Sequence, residues 1–122
     1  MCGSAVHALD YSPTAKLLVS GHSDHFASVW DPRMDAATLQ PTKLRHEGWV
    51  SAVEWAPEST VLLSTTSYDG KLRVWDLRSP RLPLHSVSDV HEQKKVLALD
   101  FSRGHSAITG GADAKVRVTK LR

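Results

Sequence analysis

A single cysteine, Cys2, stands in the whole sequence, so no internal disulfide can form. A lone thiol suits a reducing compartment better than a secreted scaffold. Long hydrophobic runs are missing as well: those present, such as Leu17-Leu18-Val19 and Val61-Leu62-Leu63, fall far short of the roughly 20 apolar residues of a membrane helix. The first residues lack the basic stretch followed by an apolar one that a secretory signal requires. Charge of one sign is scarce too. Fifteen basic residues face 13 acidic ones, dispersed along the chain, which argues against a nucleic-acid binder built on net charge. What is present is apolar content, 41% of 122 residues, enough to bury the core of one globular domain.

The chain repeats itself. Segment 6–13 (VHALDYSP) aligns with 50–57 (VSAVEWAP) and more loosely with 96–102 (VLALDFS). Segment 18–24 (LVSGHSD) aligns with 63–69 (LSTTSYD) and 107–113 (AITGGAD), so the aspartates Asp24, Asp69 and Asp113 fall 45 and 44 residues apart. Trp30-Asp31 and Trp75-Asp76 are again 45 apart. Within each unit apolar residues alternate, as at Leu72 and Val74, which is the period of a strand and not of a helix. Asp69-Gly70 supplies a hairpin turn, and Ser12-Pro13 and Pro57-Glu58-Ser59 punctuate the connection before it. A fourth strand is placed around 38–44 and 83–87, where Pro41, Pro80 and Pro83 favour a sheet edge.

A four-stranded unit of about 45 residues is a propeller blade of the WD type. The chain resembles WD-repeat proteins in its two Trp-Asp pairs, its three periodic aspartates, and His46 and His91. The resemblance implies an all-β propeller fragment of about three antiparallel blades, divided as 1–44, 45–88 and 89–122, the last lacking its outer strand. It also implies a polar network in each blade, joining a His, a Ser or Thr, an Asp and a Trp. The matching set is His46, Thr65, Asp69 and Trp75 in the middle copy. The first copy offers Cys2, Ser20, Asp24 and Trp30, and the last His91, Thr109, Asp113 and Thr119, so both outer copies are incomplete. Mutually bonded polar groups can be buried without an unsatisfied partner and fix strand register.

A His, an Asp and a Ser or Thr could also be read as a hydrolase triad. Recurrence of the set with a tryptophan, and the lack of a Gly-x-Ser-x-Gly elbow, favour the structural reading. His22 and His25 beside Asp24 are read as turn residues, because no second ligand pair accompanies them. No catalytic residue, cofactor or metal is therefore expected. Three blades are too few for a closed ring of about four to eight. The expectation is a piece of a longer propeller, completed by further sequence or by self-association.

Finer wording narrows the resemblance: 30–33 (WDPR), 46–55 (HEGWVSAVEW), 68–78 (YDGKLRVWDLR), Pro83-Leu84 with His91 downstream, and 110–115 (GGADAK). Together these are similar to the last three blades of the WD-repeat subunits of the PeBoW complex, a nucleolar assembly that matures the large ribosomal subunit. That resemblance implies a scaffold for the block-of-proliferation and pescadillo proteins on 60S precursors, in the nucleolus and nucleus, with the cytoplasm as the alternative location. On the face carrying the turns, Glu47, Trp49, Tyr68, His25, Lys94 and Lys95 are the candidate partner contacts, an aromatic beside charge being the usual interface anchor. The plainer account of Trp49 is packing between blades. Arg33 and Arg78, in repeated Trp-Asp-x-Arg phrases, resemble the signature of cullin-4 ligase substrate receptors. Pairing with acidic groups on the blade rim is the simpler account of both. Lys43, Arg45, Lys94 and Lys95 would carry any ribosomal RNA contact, which predicts strong salt dependence.

Overall fold

The computed structural model describes residues 5–33, 42–57, 59–87, 95–101 and 106–120. These form strands throughout, with no helix among the described residues. The first sheet is β1 (Val6–Ser12), β2 (Leu17–His22), β3 (Phe26–Trp30) and β4 (Thr42–Arg45), in that spatial order. The second repeats it with β5 (Val50–Trp55), β6 (Leu62–Ser67), β7 (Leu72–Asp76) and β8 (His85–Val87). The third holds β9 (Val96–Asp100), β10 (Ser106–Gly111) and β11 (Val116–Lys120). All pairings are antiparallel and between neighbours in sequence. Three up-and-down sheets that do not close into a ring are the propeller blades expected from the period.

The hairpin between the second and third strands is built alike in all blades. His25, Gly70 and Ala114 adopt left-handed backbone angles, with φ of 76°, 83° and 64°. The preceding aspartate accepts the N–H two residues on: Asp24 from Phe26 at 3.0 Å, Asp69 from Lys71 at 3.0 Å, and Asp113 from Lys115 at 3.1 Å. Short side chains that bond their own turn are the reason Asp recurs there.

The blades stack through their inner strands. One core joins the first two sheets through Val19, Ala27, Val29, Leu44, Val53, Trp55, Leu63 and Trp75. Another joins the second and third through Leu72, Val74, Phe101 and Ala107. Gly21 permits the first contact, since a Cβ there would come within 2.7 Å of the Val50 side chain. Each seam also carries a carboxylate staple. Asp10 accepts the Trp55 backbone N–H at 2.8 Å, and Glu54, in the same place one repeat later, accepts that of Phe101 at 2.9 Å. Burial pushes the Glu54 carboxyl up, the Phe101 N–H draws it down, and the charges of Asp100 and Asp10 raise it further.

Candidate protein-docking surface

In the middle blade, Trp75 Nε1–H donates to Thr65 Oγ1 at 2.9 Å, and Thr65 lies 2.6 Å from His46 Nε2. His46 Nδ1 is 2.9 Å from the Leu44 carbonyl oxygen, which can only accept. Nδ1 therefore carries the proton and Nε2 accepts the threonine hydroxyl, giving a directed line from Trp75 through Thr65 and His46 to the backbone. All three side chains are buried. Burial and then the charge of Arg73 lower the His46 pKa to about 4, so the ring is neutral where the line requires it.

Asp69 does not stand in that line. It accepts from Arg73 Nη2 at 2.8 Å, from Ser67 Oγ, from the Lys71 N–H, and from the Glu47 N–H at 3.3 Å. Burial raises its pKa, but the bonds from Arg73 and Ser67 and the arginine's charge outweigh this and hold the carboxyl below its usual range. The expected four-membered cluster is thus two adjoining systems, and Arg73 and Ser67 belong to the second. Nothing in the sequence marks Arg73 as buried, because arginine in a strand is usually exposed.

The first blade solves the same problem differently. Trp30 Nε1–H donates to Ser20 Oγ at 2.9 Å, and Ser20 lies 2.7 Å from His22 Nε2. His22 is not a turn residue as its neighbours suggested; it ends β2 and is buried, because the strand runs one pair further than the turn letters implied. In the third blade Thr109 is buried, and Thr119 pairs with Ala107 where the middle blade pairs Trp75 with Leu63. Cys2, His91 and Lys94 lie outside the described residues.

On the turn-bearing face, three rings stack across the first seam. His7 of the first blade lies 5.1 Å from Trp49 at an interplanar angle of 21°, and Trp49 lies 5.6 Å from Tyr68 at 24°. Lys95, entering the third blade, sets its Nζ 4.7 Å from the Tyr68 ring centre. The strip His7, Trp49, Tyr68, Lys95 therefore touches all three blades. Gly48 lets the Trp49 segment lie against the next turn, since a Cβ there would approach the Asp69 nitrogen to 2.9 Å. Trp49 is sandwiched between blades, yet 45% of it stays exposed. Glu47 flanks the strip 3.9 Å from Lys71, and exposed His25 offers its carbonyl to the His46 N–H at 2.8 Å.

Arg33 and Arg78 lie just past the ends of β3 and β7, remote from the aspartate-capped turns, and clamp the aspartates two residues before them, at 2.9 and 2.6 Å. The bonds from Arg78 hold Asp76 at a pKa of about 2, and those from Arg33 lower that of Asp31. Lys43 and Arg45 sit on β4, with Lys43 Nζ 5.3 Å from the Phe26 ring centre, away from the aromatic strip.

Comparison with known families adds a name to this geometry: the WD domain, G-beta repeat matches residues 2–31 and 38–76, more than half the sequence. The chain belongs to the WD-repeat family. It is also similar to proteins named "Ribosome biogenesis protein WDR12 homolog". The one from Ixodes scapularis is 42% identical over 111 residues, covering 90% of this chain and 26% of that protein. The one from Arabidopsis thaliana is 38% identical over 120 residues, covering 97% and 27%. The one from Oryza sativa subsp. japonica is 41% identical over 117 residues, covering 93% and 26%. The chain thus spans about a quarter of the length of these relatives.

Proposed function

We propose that this chain is a non-catalytic scaffold in ribosome biogenesis, holding protein partners on the face that carries His7, Trp49, Tyr68 and Lys95. The observation that carries the docking site is Trp49: a large rigid ring, pre-ordered between two other rings, with nearly half its surface in solvent. Such a residue loses little entropy on binding, and the neighbouring Tyr68 ring carries the Lys95 cation for orientation. The repeat letters His46, Thr65 and Trp75 are absorbed by the fold, which leaves surface chemistry as the working part. The names of the relatives support the ribosomal setting. On the PeBoW resemblance the partners are the block-of-proliferation and pescadillo proteins, on 60S precursors in the nucleolus during pre-rRNA processing. RNA contact by the scattered lysines is secondary to these protein contacts. The ligase-receptor reading is set aside because Arg33 and Arg78 are engaged by Asp31 and Asp76.

The test is co-precipitation with the block-of-proliferation and pescadillo proteins. Trp49→Ala should weaken capture about tenfold or more while thermal unfolding stays near that of the parent. Capture that persists with a lowered unfolding temperature would make Trp49 a packing residue only.

A further inference from the structure

We infer that Ser79, in the loop after β7 of the middle blade, is a phosphorylation site for a proline-directed protein kinase, and that Arg78 and Arg81 hold the phosphate once it is there. The sequence contains two Ser-Pro pairs, Ser12-Pro13 and Ser79-Pro80. The fold treats them in opposite ways. Ser12 ends β1, is only 3% exposed, and its Oγ accepts the Ala15 N–H at 2.9 Å, so its hydroxyl is enclosed by its own turn. Ser79 is exposed, and so are Arg78, Arg81 and Leu82 around it. Its backbone N–H donates to the Asp76 carbonyl at 2.9 Å, which fixes the start of the loop. From Arg78 to Leu82 the loop borders a hollow of about 420 Å³.

A kinase needs the acceptor hydroxyl outside the fold. A proline just after it, with no N–H and a fixed backbone angle, is selected by a kinase pocket that would leave any other residue's N–H unpaired. Ser79 meets both requirements, and Ser12 meets only the second. In the transfer, Ser79 Oγ attacks the γ-phosphorus of kinase-bound Mg-ATP. The Oγ–P bond forms as the bond from that phosphorus to the bridging oxygen breaks, ADP leaves with the electron pair, and the hydroxyl proton passes to the kinase's basic group. The product carries a charge of about −1.5 to −2 at pH 7, which offsets both arginines.

Arg78 is free to turn towards it. Its Nη2 lies 2.6 Å from Asp76, but the side chain is 74% exposed, and an ion pair in solvent holds its partners weakly. Asp76 keeps the Arg78 backbone N–H, at 2.9 Å, whichever way the guanidinium points. A phosphate presents three strong acceptor oxygens to that planar fork. The first blade supplies the control: Arg33 clamps Asp31 in the same way, yet Met34 follows it where Ser79 follows Arg78. Phosphorylation therefore turns a cationic rim beside exposed Leu82 and Leu84 into an anionic one, in the middle blade alone. This inference concerns the loop after β7 and is independent of the aromatic strip.

The 122-residue chain, incubated with a purified cyclin-dependent kinase and Mg-ATP, should carry phosphate on Ser79 about tenfold or more above Ser12 in peptide mapping by mass spectrometry, because Ser12 must first open locally. Pro80→Ala, which leaves the hydroxyl in place, should lower the Ser79 occupancy about tenfold without moving the thermal unfolding midpoint. In the modified chain the Arg78 Nε–H resonance should shift while that of Arg33 stays. Absence of phosphate on Ser79, or equal phosphate on Ser12 and Ser79, overturns the site, since the fold would then not be selecting it. An Arg78 resonance that moves no more than that of Arg33 overturns the arginine hold on the phosphate.

Discussion

The middle and third blades share one pattern and differ in how much of it is buried. In the middle blade Trp75, Thr65, His46, Arg73 and Leu72 are all closed off from solvent, between a neighbour on each side. In the third blade Thr119 stands where Trp75 would be, and Val116 and Val118 lie open where Leu72 and Val74 are covered. The lesson is that a blade does not hold itself together. Its strands supply hydrogen bonds, but most of its apolar burial comes from the blades on either side, which is the nearest-neighbour logic of repeat proteins.

The largest way to break this contrast is to cut the middle blade's tryptophan. Trp75→Ala should cost about 3–5 kcal/mol in chemical denaturation, from lost packing and the orphaned Thr65 and His46. Thr119→Ala, at the matching place in the third blade, should stay within about 0.5 kcal/mol. Equal losses would mean that the two blades are held alike.

Acid separates the blades by another route. The folded His46 pKa is about 4 against 6.5 for a free histidine, so the unfolded chain takes up the proton first as pH falls. Stability should decline from about pH 6.5 and level off near pH 4, by about 3 kcal/mol for this group. His46→Gln should flatten that part of the profile of denaturation midpoint against pH. Next in size, Asp69→Ala leaves Arg73 buried without its carboxylate and should cost about 1–3 kcal/mol in thermal unfolding. A smaller loss follows from Glu54→Ala, about 1 kcal/mol from one backbone bond at the second seam. Its value is in where it acts: amide exchange should quicken across β9–β11 before it changes in β5–β7.

Much of the fold was legible because period, turn letters and alternation all agree. The 45-residue spacing of Asp24 and Asp69 reports a hairpin turn that each aspartate caps by itself, so a local rule carries it. The outer strands were less legible, since β4 and β8 are short edge strands after proline-bearing connections. The site was read in part. Trp49, Tyr68 and Lys95 come together as a strip, but His7 was missed, because its contact with Trp49 depends on how two blades stack and not on either strand alone. The staples left a readable trace: Asp10 and Glu54 are acidic at one repeat position of their strands. Asp69's preference for Arg73 over His46 left none, since both partners lie within reach of the same turn and only side-chain geometry selects between them.

The claim on which the rest depends is that the repeated polar letters are internal glue. A double-mutant cycle of Thr65→Val and Trp75→Phe, followed by urea denaturation, measures it directly. The directed bond from indole through hydroxyl to imidazole predicts a coupling of about 1 kcal/mol or more between the two substitutions. Strict additivity would contradict it, because two side chains that do not depend on each other cannot be links of one chain of bonds.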